Sequence, residues 1–324
     1  MLSRKIFRIS NEDEFNQLCL KVFRFQYSNN PIYKQFCDLL QKHPDKITGY
    51  SAIPFLPIQF FKSRNIISGT ATPEISFTSS GTTGSKTSTH HVLDLHMYRD
   101  SFNAAFKRFY GDPEDYIILA LLPSYLEREG SSLIYMVDSL IKASKHSESG
   151  FYLNNLDELA QKLEHLDKLD KKILLIGVSF ALLNLVENRQ FKLQNTIVME
   201  TGGMKGRRKE LIRSELHSIL KNRFGVKHIH SEYGMTELLS QAYSKGNGVF
   251  ECPPWMKILI RDPEDALTYL PPNKTGGVNI IDLANLYSCS FIATQDLGKK
   301  TENELQIMGR FDNSDVRGCN LLVI

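Results

Sequence analysis

Between residues 75 and 245, short apolar runs alternate with amphipathic stretches, and no other feature narrows the possible folds so far. The runs are EISFTS, YIILALLP, SGFYL, KILLIGVS, NTIVME and KHIHSE, each of a length and composition that suits a buried strand. Between several of them, residues 95–110, 133–144, 156–169 and 205–224 repeat apolar positions at helical spacing. Parallel strands need a long crossover, and a helix supplies it. The alternation therefore predicts an α/β fold, a mainly parallel sheet covered by helices. Such sheets bind ligands beyond the carboxyl ends of their strands.

The flanks read differently. Phe15, Leu18, Cys19, Val22 and Phe23 recur at helical spacing, and Pro31 suits the start of a second helix that ends near Pro44. IPFLPIQFFKS, residues 53–63, is apolar and bears prolines, which predicts an extended lead-in to the main fold. Beyond residue 245, GVFECPPWMKILI, GGVNIIDL, CSFIATQDLG and NELQIMGRFD read as short strands with little helix, a smaller β-rich C-terminal subdomain. The expected divisions are a helical segment over 1–50, an α/β core over 51–245 and the β-rich part over 246–324.

Charge and cysteine usage remove several function classes. A net charge of +3 over 324 residues is too small to point to nucleic acid or an anionic membrane. Basic runs such as KGRRKE, residues 205–210, suit a solvated helix face. No run approaches the ~18 apolar residues of a membrane span, and MLSRKIFRISNEDEF lacks the apolar centre of a signal peptide. Cys19, Cys37, Cys252, Cys289 and Cys319 are scattered without a CxxC pair, which argues against a disulfide framework and a zinc site. A cytoplasmic location is expected.

One stretch looks built for an anion. SFTSSGTTGSKTSTHH, residues 76–91, is dense in hydroxyls and carries Gly81 and Gly84. Glycines let the backbone approach a phosphate closely, and hydroxyls and amides supply neutral donors. The stretch fails the GxxxxGK[ST] pattern, because its glycines stand too close together and Ser85 precedes Lys86. A flexible surface linker has the same composition. In HIHSE, His228, His230 and Glu232 would share one face of a strand, but no further ligand cluster accompanies them. IGVSFA, residues 176–181, approaches a serine-hydrolase elbow but has Ala181 in place of its second glycine.

Three further segments follow in order. They are METGGMKGRR, residues 199–208; HSEYGMTE, residues 230–237; and ATQDLG with GRFDNSD, residues 293–315. Together with the hydroxyl loop they resemble the adenylate-forming superfamily of acyl-CoA synthetases, luciferases and peptide-synthetase adenylation domains. A closer resemblance runs from about residue 50 to the end. IPFLPIQFFK, FTSSGTTGSKTSTHHV, LLPSYLEREGSSLIYMV and SDVRGCNLL are similar to the LuxE-type acyl-protein synthetases. That family activates a carboxylic acid, usually a fatty acid, with ATP and passes the acyl group through a cysteine to a partner protein.

The resemblance implies the large N-terminal domain of the adenylate-forming fold, with the β-rich part completing the adenylate site. It implies residue roles as well. Thr78, Ser79, Ser80, Gly81, Thr82, Thr83 and Gly84 match the loop that holds the β- and γ-phosphates. Gly202 and Gly203 match the segment against adenine, and Tyr233, followed by Gly234, matches the stacking aromatic. Thr236 matches the α-phosphate hydroxyl, Glu237 the magnesium ligand, Asp296 the ribose acid and Arg310 the ribose arginine. Val178, Ser179 and Phe180 match acyl-pocket walls, with His230 expected near the phosphate or the acyl carboxylate. His90 or His91 could face the substrate, and the match hints that Glu127 and Arg128 stand near the site.

The superfamily's C-terminal domain, with its catalytic lysine, has no counterpart between Arg310 and Ile324. Either Lys86 substitutes for it, or other donors or a partner subunit stabilise the α-phosphate; Lys86 is the candidate put forward. Cys319 matches the acyl-accepting cysteine, where Arg317 beside it would favour the nucleophilic thiolate. The implied cofactors are ATP and Mg2+, and the implied partners are a small carboxylic acid and an acyl-accepting reductase or carrier protein. An acyl-CoA ligase, and an inactive nucleotide-binding subunit of an acyl reductase, remain open as alternatives.

Overall fold

The computed structural model describes residues 2–79, 87–123, 130–202 and 211–310. Among the described residues the strands are, in chain order, β1 (Leu56–Pro57), β2 (Ile75–Thr78), β3 (Thr89–Val92), β4 (Ile117–Leu121), β5 (Gly150–Phe151), β6 (Ile173–Val178), β7 (Thr196–Thr201), β8 (His230–Tyr233), β9 (Ala242–Ser244), β10 (Met256–Arg261), β11 (Thr275–Asp282), β12 (Phe291–Lys300) and β13 (Leu305–Arg310).

The central sheet has the order β5-β4-β6-β7-β8-β9, parallel except for β9. Every residue of β4 and β6 is buried, which is why both read as unbroken apolar runs rather than alternating ones. On one face, the helices Leu95–Tyr110 and Ser132–Ser144 bring Phe106, Met136, Val137 and Leu140 around a small apolar cavity over Ile118, Leu174, Ile176 and Met199. On the other face, the helix Arg213–Phe224 sets His217 against Glu200 and Ser231. The α/β expectation holds.

EISFTS departs from it. Its β2 leaves the parallel sheet and pairs antiparallel with β3, from Ile75 opposite Val92 to Thr78 opposite Thr89. The chain returns within residues 79–88, too short for the crossover that a parallel neighbour requires.

The second sheet runs β1-β12-β11-β10, with β13 added on β12. The lead-in at residues 53–63 contributes β1, parallel to β12 through Leu56 opposite Ile292. The two predicted N-terminal helices, Glu12–Asn29 and Pro31–Leu39, dock on this same sheet. Asn11 caps the first by accepting from the Glu14 amide. Asn30 caps the second by accepting from the Tyr33 amide, with Pro31 in its first turn. Phe23 and Tyr33 each set their rings 6.2 Å from Phe291. Buried Gln26 donates to the Asn285 and Leu286 carbonyls and to Ser290 Oγ, and accepts from the Ser290 amide. These bonds fix the turn between β11 and β12.

Candidate active site

The carboxyl ends of β7 and β8 point toward the second sheet. Tyr233 ends β8, and its hydroxyl donates a 2.6 Å hydrogen bond to Asp296 Oδ2 on β12. Asp296 stands opposite Arg310 in the β12–β13 register, and the guanidinium Nε lies 3.7 Å from Oδ1. Three residues from three sequence segments thus meet around one carboxylate. Burial pushes the Asp296 carboxyl up, against the Tyr233 hydroxyl and the cationic Arg310, Arg213 and Arg261.

The turn after Tyr233 is held from below. Asp282 is buried and accepts from the Leu239 and Ser240 amides, from Ser240 Oγ and from the Ala284 amide. Asn285 Nδ2 donates to the Glu237 carbonyl. His90, fully buried on β3, has Nδ1 2.9 Å from the Thr236 carbonyl and Nε2 2.8 Å from Ser288 Oγ. A carbonyl can only accept, so Nδ1 carries the proton and Nε2 accepts from Ser288. Burial lowers the His90 pKa to about 4, which keeps the ring neutral. His90 therefore ties the β2–β3 ribbon to Thr236 instead of facing a substrate. His91 is half-buried, with Nδ1 near Ser76 Oγ and Nε2 near Asn65.

Glu237 is 6% exposed, and burial raises its pKa against a hydrogen bond from Ser88. Ser88 also closes the base of the hydroxyl loop. The Ser79 amide donates to the Ser88 carbonyl, and the Ser88 amide donates to Ser79 Oγ. Thr78, beside this clasp, takes its backbone bond from its own amide to the Gly130 carbonyl. Ser80, Gly81, Thr82, Thr83, Gly84, Lys86, Glu127, Arg128, Gly203 and Cys319 lie outside the described residues.

At the end of β6, Val178 and Ser179 are buried, with Phe180 in the first turn of the following helix. Ser179 Oγ donates to the Gly202 carbonyl at 2.7 Å, joining the ends of β6 and β7. Gly202 has φ +68, a left-handed backbone that suits glycine. His230 is placed differently from the expectation. It begins β8 rather than ending it, opposite Met199, which sets it about 10 Å along the strand from Tyr233. Its ring packs 5.8 Å from Tyr110, with Nδ1 3.2 Å from the Tyr110 hydroxyl.

At this end of the sheet Arg213 and Glu200 carried no signal that sequence reasoning used, and Glu232 entered only through the HIHSE metal reading. Arg213 sets Nε 3.4 Å from Glu200 Oε1, lays its guanidinium 4.8 Å over the Phe250 ring and donates to the Ile307 carbonyl. Glu200 and Glu232 are both buried at adjoining strand ends. Burial works against the Glu200 anion, but His217 and Arg213 outweigh it and hold its pKa low. Glu232 has no such cations among the described residues. Burial pushes its pKa up to about 7, despite a hydrogen bond from the Thr201 hydroxyl. Acidic residues inside otherwise apolar strand runs were the available clue.

A profile of the family described as acyl-protein synthetase, LuxE, matches residues 1–324. The chain belongs to the LuxE acyl-protein synthetase family. A LuxE relative, the long-chain-fatty-acid–luciferin-component ligase of Vibrio harveyi, is 23% identical over 329 residues, 94% of this chain and 86% of that protein. Among solved structures, 2-hydroxyisobutyryl-CoA ligase in an open conformation with 2-HIB-AMP and CoA superimposes with a TM-score of 0.70. It is 13% identical over 94% of this chain and 72% of its own. ATP-bound MatB from Rhodopseudomonas palustris superimposes with a TM-score of 0.56. It is 17% identical over 72% of this chain and 47% of its own. At these identities the structures share the fold. As a LuxE family member the chain is an ATP-dependent ligase that activates a carboxylic acid. Among the described residues no helix is long and apolar enough to cross a membrane.

Proposed function

We propose that this LuxE protein converts a carboxylic acid of the fatty class to its acyl-adenylate and then transfers the acyl group to Cys319. The convergence of Tyr233, Asp296 and Arg310 on one carboxylate supports this reading most directly. A carboxylate that accepts two ribose hydroxyls needs a fixed plane, and Tyr233 and Arg310 brace its two oxygens. The Tyr233 ring stacks on adenine beside Gly202 and Gly203, and Thr236 meets the α-phosphate. Thr78, Ser79, Ser80, Thr82 and Thr83, with the Gly81 and Gly84 amides, hold the departing β- and γ-phosphates.

The acid's carboxylate oxygen attacks the α-phosphorus, a P–O bond forms, and the bond to pyrophosphate breaks. Lys86 stands as the cation for the α-phosphate. The Cys319 thiolate then attacks the acyl carbon and AMP leaves with the bonding pair. Cys19, Cys37, Cys252 and Cys289 fit that role poorly. Burial raises all four thiols, Cys37 and Cys252 to about 12.

Glu237 fits a magnesium ligand. It is a buried oxygen donor beside the phosphate loop's Ser88, and no group of three or more His, Cys, Asp or Glu suited to a metal occurs among the described residues. Magnesium commonly takes one or two carboxylates and otherwise phosphate oxygens. When bound, it would neutralise charge on the triphosphate. The onward acceptor is a reductase or carrier protein, and the setting is the cytoplasm.

Carboxylate-dependent ATP–pyrophosphate exchange tests the first half. With a labelled acid and ATP, Cys319→Ser keeps exchange and loses the hydroxylamine-sensitive protein label. A label that persists refutes the cysteine's role. Exchange unchanged in Lys86→Ala refutes that of the lysine.

A further inference from the structure

One row of residues crosses the central sheet at its carboxyl end. Val178 lies opposite Thr201, Thr201 opposite Glu232, and Glu232 opposite Tyr243. Directly opposed residues share a face. This is the face of the apolar cavity, because Ile176, Met199 and Tyr243 line that cavity and follow the same alternation. The row therefore forms the rim where an acid lying against Val178 would pass.

Glu232 is out of place on such a face. It is 7% exposed, takes a hydrogen bond from Thr201, and has no cationic side chain within ion-pair distance among the described residues. A buried carboxyl has room for several donors. One step beyond, Gln241 stands opposite Gly234, as the continuation of Tyr233 opposite Ala242 implies. It is 4% exposed, and its Oε1 has no hydrogen-bond partner among the described residues. A Cβ on Gly234 would lie 2.5 Å from Glu232 Oε1 and 3.3 Å from Gln241 Cγ. The two polar side chains thus close over the same glycine, immediately after the tyrosine that braces Asp296. Buried acceptors left short of donors are costly, and such sites commonly await a ligand.

We propose that Glu232 and Gln241 receive a hydrogen-bond donor, a hydroxyl or ammonium group, carried on the chain of the acid that the enzyme activates. The proposal rests on the adenylation reading and refines its substrate class from a plain fatty acid to a donor-substituted one. Glu232 and Gln241 are specificity residues here; the bond-making groups are unchanged.

The test is pyrophosphate exchange by the full chain with acids of matched length, unsubstituted, hydroxylated or aminated at successive positions. The wild type should favour a hydroxylated or aminated acid over its unsubstituted parent by roughly a hundredfold in kcat/KM. Which of the two wins identifies the donor. Glu232→Leu should reverse the preference, and Gln241→Met, which keeps the volume, should weaken it in the same direction with the melting temperature as a control. An unsubstituted acid that equals or exceeds its substituted forms overturns the proposal and leaves adenylation intact. Exchange with no acid overturns both.

Discussion

The hydroxyl of Tyr233, at the end of β8, and the carboxylate of Asp296, midway along β12, join two separate sheets through one 2.6 Å hydrogen bond. Tyr233 comes from the mainly parallel sheet and Asp296 from the mainly antiparallel one, so the bond ties the two sheets together at the candidate site. Tyr233→Phe keeps an aromatic face for adenine and removes the brace. KM for ATP should rise about tenfold with kcat little changed, the loss of roughly one charge-assisted hydrogen bond. Tyr233→Leu should cost more, since stacking goes too. Equal KM values in wild type and Tyr233→Phe would show that Asp296 needs no brace.

His90 should make stability depend on acid. Its folded pKa of about 4 lies below the ordinary 6.5 because burial disfavours the imidazolium. Between those values the unfolded chain binds the extra proton, so stability rises with pH across that window and is lost as pH falls toward 4. The full effect is about 3 kcal/mol. His90→Gln should flatten this part of the urea-unfolding profile. It should also lower kcat, because the Thr236 carbonyl loses its fixed donor. A variant profile parallel to the wild type between pH 4.5 and 6.5 would exclude His90 as the source.

Asp282 should prove the anchor of the turn. Its two oxygens accept four bonds, three from amides and one from Ser240 Oγ. The substitution Asp282→Asn would turn an NH2 group toward donors that need an acceptor. The expected cost is about 2–4 kcal/mol in denaturant unfolding, with activity lost in proportion to the turn's disorder. A cost below that of Ser240→Ala would refute the anchor role.

The central strands were legible because β4, β6 and β7 are local apolar runs, and the nucleotide motifs because they are contiguous. EISFTS misled because its composition suits either pairing, and only the short return to β3 decides between them. His230 misled for a related reason: a one-dimensional run does not say at which residue the strand begins. His90, Arg213 and Asp282 act through partners far away in the chain, such as His90 with Thr236, Arg213 with Ile307 and Asp282 with Leu239. Their side chains gain meaning only when the two sheets meet. Glu232 was visible as an acid in a strand, but its isolation from cations among the described residues is a property of packing.

Glu232 and its neighbour Glu200 should respond to neutralisation with opposite signs. The Glu232 carboxyl is raised to about 7 by burial, so the folded protein holds its proton longer than the unfolded chain does. Its favourable contribution is complete below pH 4.5 and is lost as pH rises through 7. Glu232→Gln should therefore match the wild type near pH 4 and exceed it by up to about 3 kcal/mol at pH 8. Glu200 is held below its ordinary value despite burial, because His217 and Arg213 face it. Its contribution is present above pH 4.5 and disappears as pH falls below that. Glu200→Gln should destabilise at pH 8, and the deficit should shrink on acidification. Chemical unfolding at pH 4, 6 and 8 separates the two. A Glu232→Gln protein that is less stable than the wild type at pH 8 would mean that the carboxylate is paired, and would remove the reason to look for a donor on the substrate.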